Sequence, residues 1–364
     1  MVLANGDIVN ANKNENSDLW TVLKGGSNNF GIVTRIDLTA FKLPTGNIWG
    51  GVILYPDVTI PDQIKAFVEF NNKIENYTSA SLITFWAYSS LAKVTVVQNC
   101  YEYTEPVEQL APGAAPAPIF DDLLAIQPQI PPSPQLPTTN TIRSASLSSL
   151  TDELEAAFDL RDLFSTLTFA NDAKLIADVY DISQKILNDP QENIKETNGL
   201  NWVTMFQPLP TVFSKHSVER GGNVLGLDRA TENQVLFLFF IQWADVADDV
   251  KLNRAADKLL AQVKDLAKSR NQYNEYIYLN YATERQDVLS GYGGDNVEKL
   301  KAAAAKYDKD GVFQKLVPGG FKVSNIGAGA TAGNNGPGIS GQGSGRGTTG
   351  GEAPNVKLPN EPTR

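Results

Sequence analysis

GGSNNFGIVTRI, residues 25–36, is the stretch on which the reading of the chain turns. Gly25 and Gly26 permit backbone angles that residues with a Cβ resist, and they bring main-chain N–H groups up to a surface. Phe30-Gly31-Ile32-Val33 reads as the start of a buried strand, running to about Leu43. A donor-rich loop that enters a core strand is a place to hold a polar cofactor. Taken locally, the same residues also make an ordinary turn.

Upstream, residues 2–4 and 7–11 read as a hairpin about Asn5-Gly6. Ser17 reads as the cap of a short helix from Asp18 to Leu23. Met1 runs straight into the hairpin, so no signal peptide is expected here and the chain is expected to start within a domain. Downstream, IWGGVILY (48–55), SLITFWAYSS (81–90), AKVTVVQNCYEY (92–103), LNWVTMFQPLP (200–210) and QVLFLFFIQW (234–243) read as strands. The segments 61–76, 172–187, 248–268 and 296–307 have helical spacing, the second capped by Asp172. The proline-rich stretch from Pro106 to Pro137 reads as an extended loop with a short helix at 119–126. The expected class is α+β, a large antiparallel sheet covered by helices. From Asn325 the chain becomes glycine-rich, which reads as a disordered tail.

Composition removes several function classes. The chain has 364 residues, 42% hydrophobic and 20% charged, an ordinary globular balance. A formal net charge of -10 argues against a nucleic-acid partner. One cysteine, Cys100, allows no internal disulfide and sits in an apolar run that suits a packed residue. One histidine, His216, excludes a multi-histidine metal site and leaves little for a histidine-based triad. With no unbroken run of 18 apolar residues, no membrane span is expected. GGSNNFG lacks the G-x-G-x-x-G spacing of a nicotinamide fold.

Tyr278-Leu279-Asn280-Tyr281 is the most interesting polar cluster. On a strand from Tyr276 to Asn280, Tyr278 and Asn280 share a face; two packed aromatics and a satisfied asparagine are the plain alternative. Gly221-Gly222-Asn223 reads equally well as a turn.

GGSNNFGIVT, together with the Tyr-x-Asn-Tyr cluster and its continuation to KYDKDGVFQ (306–314), resembles the berberine-bridge-enzyme-like oxidoreductases. These belong to the vanillyl-alcohol-oxidase, or p-cresol-methylhydroxylase-type, superfamily, and the likeness is to its fungal branch. The resemblance implies a partial FAD-binding domain at 1–44 and a substrate-binding α+β domain at 45–275. A C-terminal segment at 276–324 would pack back on the FAD domain, followed by the tail at 325–364. It implies FAD as cofactor, held through the main chain of Gly25, Gly26, Asn29, Gly31, Ile32 and Val33, with Asn280 at the isoalloxazine. Tyr281 or Tyr278 would take the substrate's hydroxyl proton as hydride leaves for the flavin. Gln207 and Asn223, in stretches typical of the fungal branch, would line the substrate cavity. The implied partners are a small molecule (an alcohol, sugar or secondary metabolite) and oxygen as an electron acceptor, with neither nucleic acid nor membrane. The resemblance does not reach the first half of the flavin domain, so the expected enzyme is N-terminally truncated, and secreted if a leader lies in that half. The alternative is a non-catalytic remnant that binds a small molecule or a partner.

Overall fold

The computed structural model describes residues 1–107, 110, 114–134, 136–155 and 159–327. From 328 onward, the stretch read as a disordered tail lies outside the described residues. Eight strands form one sheet: β1 (Ile48–Pro56), β2 (Ala80–Ser89), β3 (Val94–Tyr103), β4 (Arg143–Ala145), β5 (Arg161–Ala170), β6 (Asn201–Leu209), β7 (Gln234–Trp243) and β8 (Tyr273–Asn274). Their order is β4-β1-β3-β2-β6-β7-β5-β8, and each neighbouring pair is antiparallel. The helices are α1 (Ser17–Leu23), α2 (Ile60–Lys73), α3 (Asp121–Leu124), α4 (Leu147–Thr151), α5 (Ala173–Leu187), α6 (Thr211–Glu219), α7 (Asp249–Ser269), α8 (Gly294–Tyr307) and α9 (Val312–Lys315).

The period-2 alternation of the strands sorts their side chains onto two faces. Trp202, Thr204 and Phe206 of β6, Phe237, Phe239 and Ile241 of β7, and Trp86 and Tyr88 of β2 share one face by register. That face takes the helices. Phe67 of α2 lies edge-on to Phe206 at 6.4 Å, Tyr180 of α5 meets Trp86 at 5.1 Å, and Trp202 donates its indole N–H to Ser183 of α5 at 2.8 Å. Phe120, fully buried just before α3, packs against Trp49, Phe70, Tyr101 and Tyr103. Truncating one such buried aromatic costs about 3–5 kcal/mol, so this face holds the fold together. The other face carries Ile83, Phe85, Ala87, Gln98, Phe164, Gln207 and Phe240, all only half-buried.

Five of the eight strands and the long helices fall where the sequence puts them. Asp172 caps α5 as expected, its carboxylate accepting from the Leu175 N–H at 2.7 Å. Four expectations need correction. Residues 33–43 form no strand. Among the described residues the only ladder bonds near them are the pair between Val2 and Ile32, each 2.9 Å, and an apolar extended segment without a neighbour is not a strand. Ile32 and Val33 are therefore exposed rather than buried. Tyr276 to Asn280 is not a strand either: the chain leaves the sheet after β8 and closes a 3-10 turn at Leu279–Tyr281. Ser17 is the first helical residue rather than the cap; Asn16 precedes it in a left-handed conformation and makes no side-chain cap bond. β5, second from one edge of the sheet with only the two-residue β8 outside it, was not foreseen.

Burial predicts an alkaline limit to stability. Desolvation pushes Tyr55, Tyr180, Tyr273 and the Cys100 thiol up to about 12. A group whose acid form is favoured by folding stabilises the protein fully below its unfolded pKa, about 10 for tyrosine and about 8.5 for cysteine. That contribution is lost as pH rises toward the folded value. Urea unfolding should therefore weaken steadily from about pH 9 to 12; an unchanged midpoint across that range would contradict the burial of these groups.

Candidate functional site

The residues singled out in the sequence fall into two places. The first is the loop after α1. The Gly25 carbonyl accepts from the Tyr292 hydroxyl at 3.2 Å, and the Gly26 N–H bonds to the Val22 carbonyl at 2.8 Å. A Cβ on Gly26 would lie 2.5 Å from that carbonyl oxygen and from the Phe30 ring, and one on Gly31 2.6 Å from the Val2 carbonyl. The glycines thus permit close approach inside the chain. Asn29, 0% exposed, donates to the carbonyls of Gly26 and Phe321 at 2.8 Å each and accepts from the Val323 N–H at 3.0 Å. Its own carbonyl accepts from Gln314 at 3.0 Å. Asn29 is therefore the tie between the loop and the C-terminal segment. A second tie runs from α8 to α1, where Lys306 and Tyr307 both reach Asp18. Among the described residues, the main-chain groups of Gly31 and Val33 bond to nothing in the chain.

The second place lies on the open face of the sheet. Gln207, on β6, donates from Nε2 to the Tyr281 hydroxyl oxygen at 3.0 Å. Tyr281 packs edge-on against Tyr278, 4.8 Å between centroids, and against Phe164 of β5 at 6.1 Å. Asn280 donates to the Tyr278 hydroxyl at 2.8 Å, leaving its carbonyl oxygen open on an exposed side chain. Gln286 fastens this segment to the sheet: its amide donates to the Thr166 carbonyl at 2.7 Å and accepts from the Thr166 N–H at 3.1 Å. One side chain thus stands in for a neighbouring strand at the edge of β5. Burial raises the Tyr281 pKa; the Gln207 bond opposes the rise and Tyr278 adds to it. Tyr281 is accordingly a neutral phenol that accepts from Gln207 and keeps its own O–H to donate.

Tyr278, Asn280, Tyr281 and Gln207 are thus brought together. Asn223 is placed elsewhere, in the turn after α6, where it donates to Ser217 at 2.7 Å and accepts from the Leu225 N–H at 2.9 Å. Its neighbours Val224 and Leu225 pack against Gly25; it belongs with the first place, not with the sheet. Phe164, Phe240 and Gln286 were missed. The first lies on the unforeseen β5, whose aromatic and β-branched residues in RDLFSTLTFA were the signal. Cys100 is a packed thiol, and His216 is exposed on α6. An open polar cleft of about 340 Å³ at the β8 edge, lined by Arg229, Glu232, Gln272 and Glu275, contains none of the cluster.

A flavin fits these residues at one end. Asn280, Gln207 and the tyrosine hydroxyls offer both donors and acceptors beside aromatic surface, as a heteroaromatic ring system with carbonyl and N–H edges requires. The loop glycines are filled by their own neighbours, so Gly25 and Gly26 do not form an open cradle for a diphosphate.

No family model matches the chain. It is 39% identical to the FAD-dependent monooxygenase drtC of Aspergillus calidoustus over 90% of its own length and 59% of the relative's. It is 32% identical to the FAD-dependent monooxygenase CTB5 of Cercospora nicotianae, over 90% of its length and 69% of the relative's. Among solved structures, 6-hydroxy-D-nicotine oxidase from Arthrobacter nicotinovorans matches with a TM-score of 0.62 at 16% identity, covering 86% of this chain and 63% of that one. The chain spans about three fifths of the first of these relatives. With sequence and fold in agreement, the chain belongs to the family of the fungal FAD-dependent monooxygenases that includes CTB5.

Proposed function

We propose that the cluster on the open sheet face is the reaction centre of an oxidoreductase that converts a carbinol, R2CH–OH, to the carbonyl. The observation that carries this reading is the Gln207–Tyr281 bond, which joins the Tyr-x-Asn-Tyr segment to the sheet at 3.0 Å. Bound FAD supplies a two-electron acceptor for the hydride. For this step Tyr281 acts as its phenolate, whose negative charge the Gln207 N–H stabilises; its Oη takes the carbinol proton and returns to the neutral phenol as the hydride leaves. Burial alone opposes that charge, so the proton transfer depends on Gln207 and on whatever positive field the loaded site adds. Asn280, held by Tyr278, orients the ring edge of the cofactor.

The chain's own surface supports a further element of this reading. Ile36, Leu38 and Phe41 are 72%, 85% and 70% exposed on the unpaired extended segment. Isolated apolar residues on a surface need no explanation, but a contiguous run marks a surface that something covers. We place the remainder of the FAD-binding unit there, as the greater length of the relatives allows.

The names of the fungal relatives favour a second reading, oxygen insertion. Anaerobic mixing of the FAD-loaded protein with substrate separates the two. Carbinol oxidation bleaches the flavin without oxygen, with a slower rate when the carbinol hydrogen is deuterium. Bleaching that requires a separate reductant, with label from isotopic oxygen appearing in the product, would replace the first reading by the second.

A further inference from the structure

Resting on the reading that the open sheet face is the substrate site, we propose that its substrate is a planar, uncharged polycyclic aromatic rather than an oligosaccharide. The register determines what that face presents. One cross-strand row is Thr166, Leu238, Met205, Phe85 and Gln98. The adjoining row is Phe164, Phe240, Val203, Ala87 and Val96. Gln207 and Leu236 follow on the other side of the first row. None of these residues is charged; Thr166, Leu238, Met205, Val203 and Leu236 are themselves buried, so the part offered to a ligand is Phe164, Phe240, Phe85, Ala87, Val96, Gln98 and Gln207. Phe164 and Phe240 meet edge-on at 4.6 Å and are both half-buried, and Phe85 is half-buried three strands away from β5.

Charged groups stand at the margins: Asp162 lies one row beyond Phe164, beside Gln242 and Asn201, and Glu102 and Arg143 lie on the same face at the β4 end of the sheet. A sugar chain brings a hydroxyl on nearly every carbon, and a face with few side-chain partners would leave most of them desolvated and unpaired. A fused aromatic ring system loses little by leaving water and gains from edge and face contacts with phenylalanines. The span from Phe85 to Phe164 covers three inter-strand gaps, about 14 Å at about 4.8 Å each, which is long for one ring and suited to several. The polar end is equally specific. Gln207 and Tyr281 sit together at one side of the platform, so a carbinol carried beside the aromatic system is placed for the Tyr281 oxygen while the rings lie across the phenylalanines.

The test is calorimetric titration of the 364-residue chain, without flavin, with 1-naphthol and separately with cellotriose. The expected result is saturable binding of 1-naphthol with a negative heat-capacity change, none of cellotriose, and affinity at least about fivefold weaker in Phe85→Ser and Phe240→Ser. Phe213→Ser, on an exposed α6 residue, should bind as wild type; circular dichroism confirms that all three variants are folded. Tighter binding of cellotriose, or 1-naphthol binding indifferent to Phe85 and Phe240, overturns the proposal. No turnover enters this measurement, so its outcome is separate from that of the redox reading. 1-(1-Naphthyl)ethanol, which adds a carbinol hydrogen to the same rings, links the two readings: if it binds but is never oxidised by the loaded enzyme the redox reading alone is removed, and oxidation of cellotriose would uphold the redox reading while overturning the aromatic one.

Discussion

Tyr281→Phe is expected to lower kcat of the FAD-loaded protein by about 10²- to 10⁴-fold with little change in KM, the range for losing a positioned general acid–base group. The substitution keeps the ring that packs on Tyr278 and Phe164 and removes only the hydroxyl that Gln207 contacts. Tyr278→Phe is the matched control. Its hydroxyl accepts from Asn280, so its loss should loosen Asn280 and cost about tenfold, well short of the Tyr281 effect. Gln207→Leu separates positioning from protonation. Without its donated N–H the Tyr281 phenolate is less stable, and the rising, acid-side limb of the pH–rate profile, which follows ionisation of the base, should move to higher pH. Steady-state kinetics over pH read all three. Equal losses at Tyr278 and Tyr281, or a profile unmoved in Gln207→Leu, would assign the proton to another group.

The largest expected effect on stability lies away from the cluster. Asn29→Ala should lower the unfolding free energy by about 3 kcal/mol, because it leaves the Gly26 and Phe321 carbonyls and the Val323 N–H without their shared partner. The site is fully buried, so water does not readily replace the amide. The loss should also free the C-terminal segment locally, seen as faster amide exchange at Val323 and around Gln314, whose side chain bonds to the Asn29 carbonyl. Urea unfolding and hydrogen exchange check both parts. A loss below about 1 kcal/mol would mean that the two segments hold together by apolar packing instead.

These two residues show what a sequence can and cannot carry. The sheet and its covering helices were legible because alternating and helical apolar spacing is written locally, as in β2, β3 and α7. The segment after Val33 has the same strand-like composition, yet a strand exists only with a neighbour, and nothing in residues 33–43 says where that neighbour is. Asn29 is placed in the cofactor loop by resemblance, but its side chain is wholly engaged in tying residues 26, 321 and 323 together; that role needs contacts across nearly 300 positions and leaves no local mark. The Tyr-x-Asn-Tyr cluster was recognisable as a motif, and Gln207 was read as a cavity residue on the sheet, while the bond that joins them was not legible. The 3-10 turn, rather than the expected strand, turns Tyr281 toward β6, and Gln286 anchors it from a position with no motif at all. Asn223 shows the opposite case: glycines before it marked a turn, and the turn is where it sits.

The central claim is that residues 278–281 and Gln207 form the flavin-facing end of the site. Titration of the purified chain with FAD, followed by flavin fluorescence and by the visible band that remains with the protein after gel filtration, tests it most directly. The account predicts saturable quenching by the wild-type chain that is at least about tenfold weaker in Asn280→Ala and unchanged in Phe213→Ser. FAD that never saturates the chain, or that binds identically when Asn280 is removed, would contradict it.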